Sequence, residues 1–120
     1  MTDREQPNDC VFCRIVRGEF GTSFVAESEQ AVAFRDLHPQ APTHVLVVPR
    51  RHLPALRDLG PEEAELAAEL LRLAVDVARR EGIMEGGYRV LTNDGPDAGQ
   101  TVFHLHLHVL GGRPMQAPLA

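Results

Sequence analysis

The sequence predicts an α+β domain with about five antiparallel strands, one long helix and a short N-terminal helix. Three observations carry this reading. One segment, Gly60 to Gly82, has both the periodicity and the punctuation of a helix. The remaining apolar segments are short, rich in Val, Phe and Tyr, and bounded by Gly, Pro, Asn and Asp. Most connections between them suit antiparallel neighbours, which makes the class α+β.

Residues 1–9 are polar and read as a tail before a single domain over 10–115; residues 116–120 read as a second tail. Cys10 to Arg17 predicts a short helix with Val11, Phe12, Ile15 and Val16 as its apolar stripe, stopped by Gly18. Thr22 to Glu27 and Gln30 to Arg35 read as a hairpin turning at Ser28 and Glu29. Asp36 to Thr43 holds two prolines and reads as a loop, His44 to Val48 as a buried strand closed by Pro49, and Arg50 to Leu59 as irregular chain. The long helix opens with Pro61 in its first turn and Glu62, Glu63 and Glu65 nearby, and closes with Arg79 and Arg80 before Gly82. Leu66, Leu70, Leu73 and Val77 form its buried stripe. Tyr88 to Thr92 is the next strand, Asn93 to Thr101 a Gly-rich loop, and Val102 to Leu110 the last strand, ended by Gly111 and Gly112.

Composition narrows the function. A chain of 120 residues suits one domain, and its net charge of −5, from 17 acidic and 12 basic residues, offers no basic block for a nucleic acid polymer. No apolar run approaches the ~18 residues of a membrane span, and the N-terminus lacks a signal-peptide core. A cytoplasmic protein without a membrane partner is therefore expected. In a reducing compartment the Cys10-x-x-Cys13 pair suggests metal binding or redox chemistry more than a disulfide.

The chemistry concentrates in His104-Leu105-His106-Leu107-His108-Val109-Leu110. Alternation on a strand puts the three imidazoles on one face, spread over roughly 13 Å, and turns Leu105, Leu107 and Val109 into the core. Such a row serves either a metal, since imidazoles two apart can share a zinc, or catalysis, with a nucleophile between proton-handling neighbours. The preceding loop suits an anion, because Gly99 permits close backbone approach and Thr101 adds a hydroxyl. His106, in the middle, is the natural nucleophile, as neutral imidazole attacks phosphorus with one nitrogen while the other donates a hydrogen bond.

These residues resemble the histidine triad family, with its His-x-His-x-His-x-x signature. Further matches are Cys-Val-Phe-Cys-Arg-Ile at 10–15, Phe34-Arg35-Asp36, Gln40-Ala41-Pro42-Thr43-His44, Val48-Pro49-Arg50-Arg51-His52 and Gly99-Gln100-Thr101-Val102-Phe103. Leu110-Gly111-Gly112-Arg113 followed by Met115 is similar to the HINT branch, a nucleoside phosphoramidase-like group. The resemblance implies a hydrolase or transferase cleaving purine nucleoside 5′-phosphoramidates through a nucleotidyl group on His106. It implies His108 at the α-phosphate and leaving group, with His44 orienting both. Asp36 would hold the ribose; Phe12, Ile15, Phe34 and Leu37 would enclose the base; Asn93, Gly99 and Thr101 would reach the phosphate. Thr101 departs from the family's usual serine, and the tail after Gln116 lacks the tryptophan some relatives carry.

The resemblance further implies a structural zinc at Cys10, Cys13, His52 and His104, a complete tetrahedral set that leaves no open position for an activated water. Free thiols or a redox pair are the other readings of the cysteines. His38 is expected to face solvent. A homodimer is expected from the resemblance, paired through the long helix and a sheet edge. Rival functions are a dinucleoside polyphosphate hydrolase, a nucleotide-binding module with little turnover, and a zinc hydrolase.

Overall fold

Strand β3, Thr43–Pro49, is the centre of the molecule, and all seven of its residues are buried. Such a strand needs cover on both faces, and the chain supplies it. The computed structural model describes residues 9–115. Its elements are helix α1 (Val11–Val16), strands β1 (Ala26–Glu27) and β2 (Ala31–Arg35), β3, helix α2 (Ala64–Arg80), and strands β4 (Tyr88–Leu91) and β5 (Leu107–Gly111). The five strands form one antiparallel sheet in the order β1-β2-β3-β5-β4, so the α+β class holds. No helix among the described residues is long and apolar enough to cross a membrane. The tails expected at either end fall almost wholly on residues 1–8 and 116–120, outside those described.

Alternation divides the sheet. Ala31, Ala33, Val45, Val47, Leu105, Leu107 and Val109 face α2, whose Leu66, Leu70, Leu73 and Val77 are the predicted stripe and are all buried. Val32, Phe34, Leu46 and Val48 face the other way and pack with Phe12 of α1. The helix begins later than its sequence suggests, because Pro61–Glu63 forms a 3₁₀ turn before the α-helical bonding starts. Gly82, at φ +73°, lets the chain reverse at its far end, and the Ile83 N–H bonds the Ala78 carbonyl.

Strand β3 gains Thr43 and Pro49 beyond the expected His44 to Val48, and two strand boundaries differ from expectation by more than one residue. The first strand, expected from Thr22, pairs in register only at Ala26–Glu27. The histidine strand, expected from Val102, bonds as a strand only from Leu107. Its neighbour explains this: Val47 pairs with Leu107, so Pro49 would come opposite Leu105, and proline has no N–H to give. The Leu105 N–H instead donates to the Leu53 carbonyl, and His104 Nε2–H donates to the Pro49 carbonyl at 2.9 Å. Burial does not alternate in the irregular stretch, where His104 to Leu107 are all buried, but facing does: Leu105 stays in the α2 core without ladder bonds while His106 reaches the opposite face.

Candidate active site and candidate metal centre

The face of the sheet opposite α2 carries a cavity of about 730 Å³. Phe12 and Ile15 come from α1, Phe34, Asp36 and Leu37 from the end of β2 onward, and Thr101, His106 and His108 from the final segment. Expected site residues from three distant stretches therefore meet. His44 stands just behind, 5% exposed, its Nε2 2.9 Å from Nδ1 of His108 and 3.5 Å from an Asp36 carboxylate oxygen. Phe12 meets the His106 ring edge to face at 5.1 Å and Phe34 likewise at 5.5 Å, so one ring steadies both walls.

Asn93 and Gly99 do not line this cavity. The loop's amides serve the loop itself: Gly99 N–H bonds the Pro96 carbonyl, Gln100 N–H the Gly95 carbonyl, and Gly95 N–H the Gln100 side chain. Thr101 is exposed at the cavity, as is His38, which faces solvent while contributing to the rim. Sequence reasoning missed Val11, Phe20, Thr22, Arg35, Leu46 and Val102. Leu46 is recoverable, lying two residues from His44 and so on the same face. Phe20 has no such signal, because the turn between Gly18 and Gly21, both at positive φ, brings it to the rim.

Burial governs the protonation of these rings. His106 Nδ1 lies 2.7 Å from the His104 carbonyl, which can only accept, so that nitrogen carries the proton and Nε2 keeps its lone pair. Burial holds His106 and His44 below the usual imidazole range, the first despite that hydrogen bond and the second despite Asp36. Burial, with His106 and His44 alongside, takes His108 down to about 4. Its Nε2 is the one buried side-chain nitrogen or oxygen without a hydrogen-bond partner among the described residues.

The rings' preference for neutrality has a consequence for stability. An unfolded chain protonates its histidines near 6.5, whereas the folded chain resists doing so until a lower pH. The unfolded state then binds more protons across that window, and stability falls with pH from 6.5 toward about 4, the folded value of His108. Urea melts of chelator-treated protein are expected to show a midpoint dropping steadily from pH 7 to pH 5. A flat profile would mean that these rings are not held neutral.

Cys10, Cys13, His52 and His104 form a second constellation, their ligand atoms all within 4.8 Å of one another. His104 Nδ1 is 3.3 Å from the Cys10 sulfur and 3.4 Å from that of Cys13, which is also 3.4 Å from His52 Nδ1. An ion about 2.3 Å from sulfur and 2.0 Å from nitrogen holds tetrahedral neighbours roughly 3.5 Å apart, so the spacing fits zinc. The Pro49 carbonyl accepts a hydrogen bond from His104 Nε2–H, which keeps the proton there, leaves Nδ1 free for a metal and orients the ring. Burial, with Cys10 beside it, pushes the Cys13 thiol up to about 12, and a divalent cation supplies the positive charge that reverses this.

Fold and site together define a small α+β protein with a histidine row beside an aromatic-walled cavity. The family model for the HIT domain matches residues 17–115. The chain is 38% identical over 112 residues to the purine nucleoside phosphoramidase of Escherichia coli K12, covering 93% of this chain and 94% of that one. It is 44% identical over 110 residues to a 14 kDa zinc-binding protein of Zea mays, covering 90% and 85%. A solved HIT family hydrolase from Clostridium thermocellum superposes with a TM-score of 0.90 at 39% identity, over 95% of this chain and 99% of that one. The chain belongs to the HIT domain family, and it is a hydrolase of that family.

Proposed function

We propose that this hydrolase cleaves purine nucleoside 5′-phosphoramidates through a nucleotidyl group carried on His106. The observation that carries the reading is the His106 tautomer, with Nδ1–H held by the His104 carbonyl and a lone pair left on Nε2 at the cavity. In the first half, Nε2 attacks the α-phosphorus and the P–N bond breaks, its electron pair going to nitrogen. The amine leaves with the proton of His108 Nε2, the buried nitrogen that no protein group engages. Neutral His108 is left as an imidazolate, whose negative charge is offset by the positive charge His106 gains, the two rings lying 5.0 Å apart. In the second half, water attacks phosphorus, returns a proton to His108 and frees His106, releasing a nucleoside monophosphate.

The remaining roles follow from chemistry and position. Asp36, a double acceptor, takes the ribose hydroxyls. Phe12, Ile15, Phe34 and Leu37 enclose the base, and Thr101 contacts the phosphate, with Asn93 and Gly99 set farther back. The purine preference rests on the name of the Escherichia coli relative. Cys10, Cys13, His52 and His104 hold a zinc whose role is to fasten α1 to the turn after β3 and to the chain just before β5; with four protein ligands it takes no part in the chemistry. The protein acts in the cytoplasm as a homodimer, the dimer being supported by the free edge of β4, where Val90 is 37% exposed, and by Leu71 at 57% on the outer face of α2.

The discriminating experiment compares kcat/KM for adenosine 5′-phosphoramidate and a diadenosine polyphosphate. At least tenfold preference for the phosphoramidate is expected. The reverse order would make the protein a phosphoanhydride hydrolase, and tight nucleotide binding without turnover of either would leave a binding module.

A further inference from the structure

The loop between β2 and β3 lines the cavity with Asp36, Leu37 and His38, and its next turn reaches His44 from behind. Its Gln40 main-chain N–H lies 3.0 Å from His44 Nδ1. An amide N–H can only donate, so His44 Nδ1 must accept, and the proton of neutral His44 sits on Nε2. That Nε2–H faces His108 Nδ1 at 2.9 Å, so His108 Nδ1 accepts in turn and its proton is confined to Nε2. One donor at Gln40 thus propagates through two rings and fixes which nitrogen of His108 offers a proton to the cavity. The same logic argues against a cation among Asp36, His44 and His108, although their donor atoms lie within 4.8 Å of one another. A cation at His44 Nε2 would have to displace the proton that Gln40, by donating to Nδ1, confines there.

The loop is braced for this task. Pro39 and Pro42 limit its backbone. The Asp36 carboxylate accepts the His38 N–H at 2.8 Å, and the Gln40 side chain donates to the His38 carbonyl at 3.2 Å. From the far end of the chain, the Arg113 guanidinium donates to the Gln40 carbonyl at 2.8 Å. Gly112 makes that reach possible: it sits at φ +101°, and a β-carbon there would come within 2.8 Å of the Pro42 ring.

We propose that Arg113 is a positioning residue for the reaction, holding Gln40 so that its amide sets the tautomers of His44 and, through it, His108. Arg113 touches neither substrate nor the reacting atoms; it acts at three hydrogen bonds' remove from the His108 proton. The inference rests on the phosphoramidase reading for its kinetic consequences, but its tautomer claim concerns the free protein alone.

The test uses the full-length protein, Arg113→Ala and Arg113→Lys. Nitrogen-15 NMR of the imidazoles in free wild type is expected to show His108 protonated at Nε2 and His106 protonated at Nδ1, with a mixture at His108 in Arg113→Ala. With adenosine phosphoramidate, whose amine must leave protonated, Arg113→Ala is expected to lower kcat by roughly three- to tenfold. With a nitrophenyl ester of the same nucleotide, whose phenolate leaves without a proton, kcat should change less than twofold. Affinity for the nucleoside monophosphate should hold, and Arg113→Lys should restore part of the loss. His108 protonated at Nδ1 in wild type would overturn the relay outright. Equal losses on both substrates with unaltered tautomers would reduce Arg113 to a structural anchor and also overturn it. If wild type turns over neither substrate, the phosphoramidase reading fails while the NMR result still decides the relay.

Discussion

His106→Asn is expected to lower kcat/KM for adenosine 5′-phosphoramidate by at least about 10³-fold, a loss of ~4 kcal/mol in transition-state stabilisation. Asparagine keeps a polar group of similar reach but has no lone pair able to form a stable bond to phosphorus. Binding should survive, because the cavity walls at Phe12, Ile15, Phe34 and Leu37 are untouched. Isothermal titration with adenosine monophosphate should therefore return an affinity within a few-fold of wild type, and a circular dichroism melt should show a retained fold. Loss of binding together with turnover would mean that His106 shapes the pocket rather than reacts. Phe12, stacked edge-on at 5.1 Å, makes that alternative a serious one, so both measurements are needed.

The second large effect concerns the metal centre. Cys13 and His104 are fully buried, and they join α1 to the chain just before β5, while His52 brings in the turn after β3. A zinc present at a hundred to a thousand times its dissociation constant adds about 3–4 kcal/mol to stability by mass action. For a chain of this length that corresponds to roughly 10 °C or more in Tm. Chelation, or Cys13→Ala, is expected to produce a drop of that size, read by calorimetry alongside zinc content of the purified protein. Turnover measured well below the lowered Tm should decline only modestly, since the four ligands leave no position for a catalytic water. Abolished turnover in a protein that is still folded would return the zinc hydrolase reading. An unchanged Tm with no bound zinc would leave the cysteines as free thiols.

Much of this arrangement is legible in the amino-acid sequence, and particular residues show why. The face of the sheet holding His106 and His108 follows from period-two alternation, which depends on burial and survives where ladder bonds stop, as Leu105 demonstrates. The start of β5 is not legible from β5 itself, because it is decided by a missing N–H on Pro49 in the neighbouring strand. Pairing partners are a property of the fold, not of the local sequence. The α2 stripe is readable because its helical period runs unbroken from Leu66 to Val77, yet the 3₁₀ turn at Pro61–Glu63 shifts its onset. Gly99 suggests an anion loop, but glycine only permits backbone approach; where its N–H points depends on the turn at Pro96–Ala98, which uses that amide internally. Arg113 and Gln40 lie 73 residues apart, and nothing in either neighbourhood announces their bond.

Passage of the nucleotide through a covalent bond to His106 is open to direct observation by mass. Wild-type protein is mixed with a slowly cleaved adenosine phosphoramidate, quenched at neutral or basic pH to spare an acid-labile P–N bond, and weighed intact by mass spectrometry. A mass increase of one adenylyl group is expected in wild type, located on His106 by fragmentation and absent in His106→Asn. Steady turnover by His106→Asn, with no adduct on either protein, would contradict it.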